Sequence, residues 1–166
     1  MIGPELAAVS GFALKITDDL VDELSRPQWA LLCGLVAAAA ALASVTTGVR
    51  PDLYLGLVLG NAVAGKLDEI PHLVAAAIIA LGVLIMRTEV TPLILLVITV
   101  LATLDEVIHP VEPTGLRPVL KIGAVVTWAL GILDDITALA VIAFDLGYHA
   151  AELLTGAIMC SNPIRA

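Results

Sequence analysis

The sequence predicts an all-α integral membrane protein of roughly five or six transmembrane helices in short-looped hairpins. Three observations predict it. Of the residues, 60% are hydrophobic and only 14% charged, whereas a soluble domain of this length carries more charge and fewer apolar residues. The apolar residues gather into runs, and proline, glycine and charge separate the runs. A spanning helix needs about 20 mostly apolar residues, so the runs fill the chain and leave 1–166 as a single polytopic membrane domain.

The first segment runs from Pro4 to Leu24, with its apolar part at Leu6–Ile16 broken by Lys15. It reads as a tilted span or an interfacial helix. Met1-Ile2-Gly3-Pro4-Glu5 lacks the basic start of a cleavable signal, so this helix is expected to stay in the mature protein. The second segment, Trp29–Val45, is Ala-rich and closes at Thr46-Thr47-Gly48. The third, Leu53–Ala64, holds Gly56 and Gly60 at the spacing that permits close helix packing. The fourth, Pro71–Met86, ends at Arg87–Glu89, and the fifth, Pro92–Leu104, runs into Asp105-Glu106. Three prolines and a glycine make His109–Pro118 a loop. Val119–Phe144 is expected to form one helix, or one slightly broken, that carries Asp134-Asp135 deep in the membrane. An interfacial helix or a polar-faced span comes after Asp145.

The formal charge of −8 argues against nucleic acid, which needs a basic face, and against a polybasic lipid-binding segment. Cys33 and Cys160 imply neither a disulfide framework nor a zinc site. GxSxG, P-loop and HExxH patterns are absent from the sequence.

The chemistry-bearing feature is a set of adjacent acidic pairs: Asp18-Asp19, Asp68-Glu69, Asp105-Glu106 and Asp134-Asp135. Ionisable groups in membrane segments are costly and usually face a cavity or a partner. The first three pairs close apolar runs, so the chain reads as a repeat of helix, acidic pair and helix, with the three acidic turns on one side of the membrane. Lys15, Arg26, Lys66, Arg117 and Lys121 share that side, against Arg50 and Arg87 on the other. The basic bias places the acidic side in the cytoplasm.

Asp18-Asp19-Leu20-Val21-Asp22 sets Asp18 and Asp22 one turn apart on one helix face. Over those five residues it resembles the aspartate-rich motif of prenyl-diphosphate enzymes, which implies Mg²⁺ held between the carboxylates and a diphosphate. Glu69-x-x-His72 and Glu106-x-x-His109 share the spacing of carboxylate-bridged di-metal bundles, although Pro71 and Pro110 disturb the helical geometry such a site needs. The expected metal ligands are thus Asp18, Asp19, Asp22, Asp68, Glu69, His72, Asp105, Glu106, His109, Asp134 and Asp135, with Mg²⁺ or Mn²⁺ as the cofactor. Lys15, Arg117 and Lys121 are the groups expected to steady a phosphate; the plainer reading of all these charges is solvated helix ends and snorkelling lysines.

Three functions are compatible with this pattern. The first is a cell-membrane, metal-dependent enzyme acting on a lipid or isoprenoid phosphate at the cytoplasmic face. The second is a divalent-cation or proton-coupled transporter that uses intramembrane carboxylates. The third is a structural subunit whose acids pair with partner helices. The partners implied are the lipid bilayer and either a lipid phosphate or a transported cation; the oligomeric state is left open.

Overall fold

The computed structural model describes residues 2–108 and 118–161, with side chains described through residue 157. Among the described residues the protein has no strand and seven helices: α1 (Gly3–Asp22), α2 (Pro27–Thr46), α3 (Pro51–Val63), α4 (Ile70–Met86), α5 (Pro92–Ile108), α6 (Pro118–Ala129) and α7 (Asp135–Ser161). Proline sits at the first or second position of each helix from α1 to α6. A helix start needs no N–H there, and the fixed proline φ is already helical. Two helices, Pro27–Thr46 and Asp135–Ala157, are long and apolar enough to cross a bilayer by length and composition.

The expectation of one helix across Val119–Phe144 is corrected. The chain turns between α6 and α7 at residues 130–134, where Gly131 takes a φ of +70°. That left-handed conformation costs a glycine little. Asp134 then restarts the chain, since its Oδ1 accepts the Thr137 N–H at 2.9 Å. This is a helix N-terminal cap. Asp134-Asp135 therefore lies at a turn and not in the middle of a helix. The residues after Asp145 continue α7 without a break.

Contacts fix the direction of each helix. Gly56 and Gly60 of α3 meet Ile98 and Ala102 of α5 in the same order, so these two run parallel. Gly3 lies by Ile136 while Asp18 reaches Tyr148, so α1 and α7 also run parallel. Ser10 of α1 donates to the Ala37 carbonyl of α2 while Gly3 lies by Thr47, which makes that pair antiparallel. The odd-numbered helices rise together and the even-numbered ones return. One end of the bundle holds the turns at 47–50, 87–91 and 130–134; the other holds the C-terminal ends of α1, α3 and α5.

The helices pack as a ring: α1 on α7 and α2, α2 on α4, α3 on α5, α5 on α6, and α6 on α7, with only light contact between α3 and α4. Small residues fill much of the interfaces, beside a core that includes Leu53, Tyr54, Ile98 and Val141. Ala7, Ala30, Ala38, Ala41, Ala124 and Ala140 are wholly buried, while Leu84 is 72% and Ile85 78% exposed. The tightest crossing is between α1 and α7. A Cβ on Gly11 would overlap the Phe144 carbonyl oxygen, and one on Gly147 would overlap that of Ala8.

This packing makes two predictions about stability. Gly11→Ala or Gly147→Ala gains helix propensity of up to about 1 kcal/mol. Each also forces two backbones apart, which costs about 1–3 kcal/mol. The net is a lowered thermal midpoint, whereas Gly156→Ala, in open space, leaves it unchanged or raised. At the other extreme, Asp52 is wholly buried with its Oδ2 3.0 Å from Arg50 Nη2. Asp52→Ala leaves the Thr91 N–H without its acceptor and the partly exposed Arg50 without its carboxylate, which costs about 1–3 kcal/mol, readable as an early denaturation midpoint.

Candidate functional site

Helical faces at the acidic end enclose a cavity of about 320 Å³. From α1 come Ser10, Leu14, Asp18 and Asp22, a ladder of every fourth residue that turns one face inward. At 1.5 Å per residue it climbs about 18 Å. Tyr54, Leu57, Val58 and Asn61 of α3 and His72, Ala75, Ala76 and Ile79 of α4 repeat the same spacing logic. Phe144 and Tyr148 of α7 complete the wall, with Ala37 of α2. The depth of the cavity is largely apolar. Its mouth carries the charges: Lys15, Asp18, Asp22, Lys66, Asp68, Glu69, His72 and Glu106.

Asp18 is the hub of the mouth. Tyr148 Oη of α7 donates to Asp18 Oδ2 at 2.6 Å. His72 Nε2 of α4 lies 2.7 Å from Asp18 Oδ1, an ion pair when the imidazole is protonated. One carboxylate thus joins α1, α4 and α7. Its neighbour Asp19 turns to a different face, because adjacent helical residues point about 100° apart. Asp19 is buried and pairs with Lys15 at 2.8 Å. The Lys15 ammonium also stands 5.5 Å from the centre of the Tyr148 ring, a cation–π distance.

The remaining residues expected at a site divide by place. Asp22 lines the mouth from α1, and Asp68 and Glu69 line it from the exposed segment between α3 and α4. Glu69 has extended backbone just before α4, so Glu69 and His72 do not share a helix. Glu106 lines the main cavity and also a smaller neighbouring one of about 40 Å³, together with Asp105 and Asp145. Asp105 is buried and accepts the Leu120 N–H at 3.2 Å, which caps the start of α6. Lys121 lies 2.8 Å from Asp145. His109 and Arg117 lie outside the described residues.

Asp134-Asp135 is at the opposite end of the bundle. Asp134 Oδ2 accepts from Thr137 Oγ1 at 2.9 Å, and Asp135 Oδ1 accepts from Trp128 Nε1 at 2.7 Å. Thr137 Oγ1 in turn accepts the Arg50 N–H at 3.1 Å. Of the carboxylates expected to be metal ligands, Asp18, Asp22, Asp68, Glu69 and Glu106 line one cavity mouth, while Asp134 and Asp135 lie away from it. Among the described residues, no three of His, Cys, Asp and Glu group closely enough to hold a metal ion by themselves.

Sequence reasoning missed Tyr148, Tyr54 and Asn61. The spacing of Phe144 and Tyr148, one turn apart on one face, was the available signal for the first. No protein-family model, curated protein or solved structure matches the chain.

The mouth geometry separates two aspartates of the same string. Asp18→Asn weakens the charge-assisted bond from Tyr148, worth about 1.5–3 kcal/mol, and removes the charge that faces His72, so thermal unfolding of the purified protein shifts down by several degrees. Asp22→Asn stays within about 0.5 kcal/mol of wild type. Equal shifts in the two variants would rule out the hub.

Proposed function

We propose that the chain is a multi-pass membrane protein whose cavity binds the head group of a lipid or isoprenoid phosphate and acts on it with the help of a divalent cation. The cavity carries the proposal. It has an apolar interior and a charged mouth, the polarity profile of an amphiphile. Membrane embedding is supported by the outward aliphatic side chains, among them Leu81, Leu93, Leu96 and Leu153, and by the small residues that the interfaces use instead. Lys15, Arg26, Lys66 and Lys121 stand toward the acidic end, against Arg50 and Arg87 at the other, which supports a cytoplasmic mouth.

On this reading the carboxylates divide the work. Asp18 is committed to His72 and Tyr148, which leaves Asp22, Asp68 and Glu69 to face a cation. Mg²⁺ and Mn²⁺ suit such a mouth, because they take one or two carboxylates and complete their shell with phosphate oxygens and water. The ion offsets charge that grows on the phosphate oxygens. His72, backed by Asp18, is the group placed to carry a proton. Lys66, exposed at the rim, and Lys15 face the anionic head group.

A transporter is the second reading, and one observation favours it. Tyr54 lines the cavity, shares a hydrogen bond with Ser44, and lies two residues from Asp52 of the opposite end. Polar groups therefore continue beyond the cavity toward the other side.

Binding of dodecyl phosphate with and without Mn²⁺ separates the readings. In wild type, Mn²⁺ tightens binding roughly tenfold, about 1.4 kcal/mol. The double variant Asp22→Asn, Asp68→Asn keeps its fold and loses the Mn²⁺ effect. Affinity indifferent to Mn²⁺ sinks the metal-assisted reading. Uptake of Mn²⁺ by vesicles that contain the wild-type protein, without phosphate-ligand binding, favours the transporter.

A further inference from the structure

We infer that the gap between α3 and α4 is a side portal, through which the apolar chain of a bound amphiphile passes from the cavity into the bilayer. The inference rests on the proposed reading of the cavity as the binding site of a membrane-embedded protein, and it specifies the substrate as one with a long chain.

Consecutive helices usually lie against one another, yet α3 packs on α5 and α4 on α2, and the two touch only lightly. Both still line the cavity, α3 with Leu57 and Val58, α4 with Ala76 and Ile79. The cavity wall is thus loosely packed where these helices meet, and Leu57, Val58, Ala76 and Ile79 on it are apolar. Val58 and Ile79 are half-buried, while Leu59 and Ala80 next to them are exposed. An apolar chain leaving between them exchanges one apolar surrounding for another.

Size makes an exit necessary. At about 320 Å³, the cavity stands at the small end of ligand sites, which run from about 300 to 1,000 Å³. It takes a head group and the first part of a chain. The mouth is a poor way out for the rest, because it is ringed by Asp22, Asp68 and Glu69, and a chain threaded past them would give up the burial that drives its binding. Helix α3 has 13 residues, about 20 Å of helix against an apolar bilayer thickness of about 30 Å. The wall at the portal is therefore low as well as loosely packed.

The test places a photoreactive side chain at four positions in turn, in the full chain in lipid nanodiscs. Leu59→benzoylphenylalanine and Ala80→benzoylphenylalanine, exposed beside Val58 and Ile79, report on the outer side of the portal, Asn61→benzoylphenylalanine on the cavity, and Leu96→benzoylphenylalanine on the outer surface away from it. The probe is hexadecyl phosphate with an alkyne at the end of its chain. Excess unlabelled hexadecyl phosphate should abolish labelling at 59, 80 and 61 and leave labelling at 96 unchanged. If labelling at 59 and 80 resists competition as it does at 96, while 61 is competed, the portal is wrong and the binding site stands. If 61 also resists competition, the binding reading fails and the portal with it.

Discussion

A carboxylate with no exposure to solvent holds one end of the bundle together. Asp52 Oδ1 accepts the Thr91 N–H at 2.6 Å, and Oδ2 faces the Arg50 guanidinium at 3.0 Å. Arg50 also donates to Thr91 Oγ1 through its side chain and to Thr137 Oγ1 through its backbone. Thr137 is tied to Asp134. The turns before α3, α5 and α7 are thereby joined through one set of polar contacts. A buried charge is tolerable only when its oxygens are occupied, and both are. Asp52 also sits in the first turn of α3, where the helix dipole favours an anion. Fixing the three turns at this end leaves the opposite end as the one where helix ends can stand apart, and it is there that the cavity opens.

Between the two ends many of the contacts are those of small side chains, beside larger core residues such as Leu57, Ile98 and Val141. Lipid tails are as apolar as leucine, so a bundle in a bilayer gains little from hiding leucines and must win its cohesion from close approach. The α1–α7 crossing at Gly11 and Gly147, and the α3–α5 crossing at Gly56 and Gly60, are places where only hydrogen fits. Close approach sets distance but is weak at setting register along the helix. The polar clusters supply that: Asp52 with Arg50 and Thr91 at one end, Asp18 with His72 and Tyr148 at the other. On the proposed membrane reading, both clusters sit near the two faces, where their cost is lowest.

Much of the helical layout was legible because its signals are local. Pro27, Pro51, Pro71 and Pro92 mark helix starts that the chain then uses. The turn ahead of α7 is hidden from a search for a glycine or proline after Asp135, because the breaking residue, Gly131, precedes Asp134. The aspartate was itself a legible cap once a break was allowed. The site was less legible, since its defining contact spans distant residues. Nothing in the string Asp18-Asp19 says that one member reaches Tyr148, which is 130 residues away, while the other stays with Lys15 on its own helix. Helical rotation guarantees that neighbours diverge, but only packing decides which face meets which helix. The Glu-x-x-His spacing at Glu69 and His72 carries no shared helix, in line with the proline that interrupts it in the sequence. Glu69 is the extended residue that precedes α4, so His72 answers to Asp18 and not to the glutamate three residues before it.

The occupation of Asp18 bears directly on chemistry. A carboxylate that already accepts from a tyrosine and faces an imidazole has one partner on each oxygen, so a metal ion there would have to share its oxygens with them. The same engagement makes it effective at holding His72 in place, because an oriented imidazole presents one nitrogen to its carboxylate and keeps the other for a proton. Asp22 is one turn further along the same face, nearer the open end, and among the described residues it makes neither a side-chain hydrogen bond nor an ion pair of that kind. A string that reads in sequence as a single cation-binding unit therefore resolves, on the proposed reading, into a positioning residue at Asp18, a buried ion pair at Asp19, and a cation-facing carboxylate at Asp22. The difference among the three is only their place around and along α1.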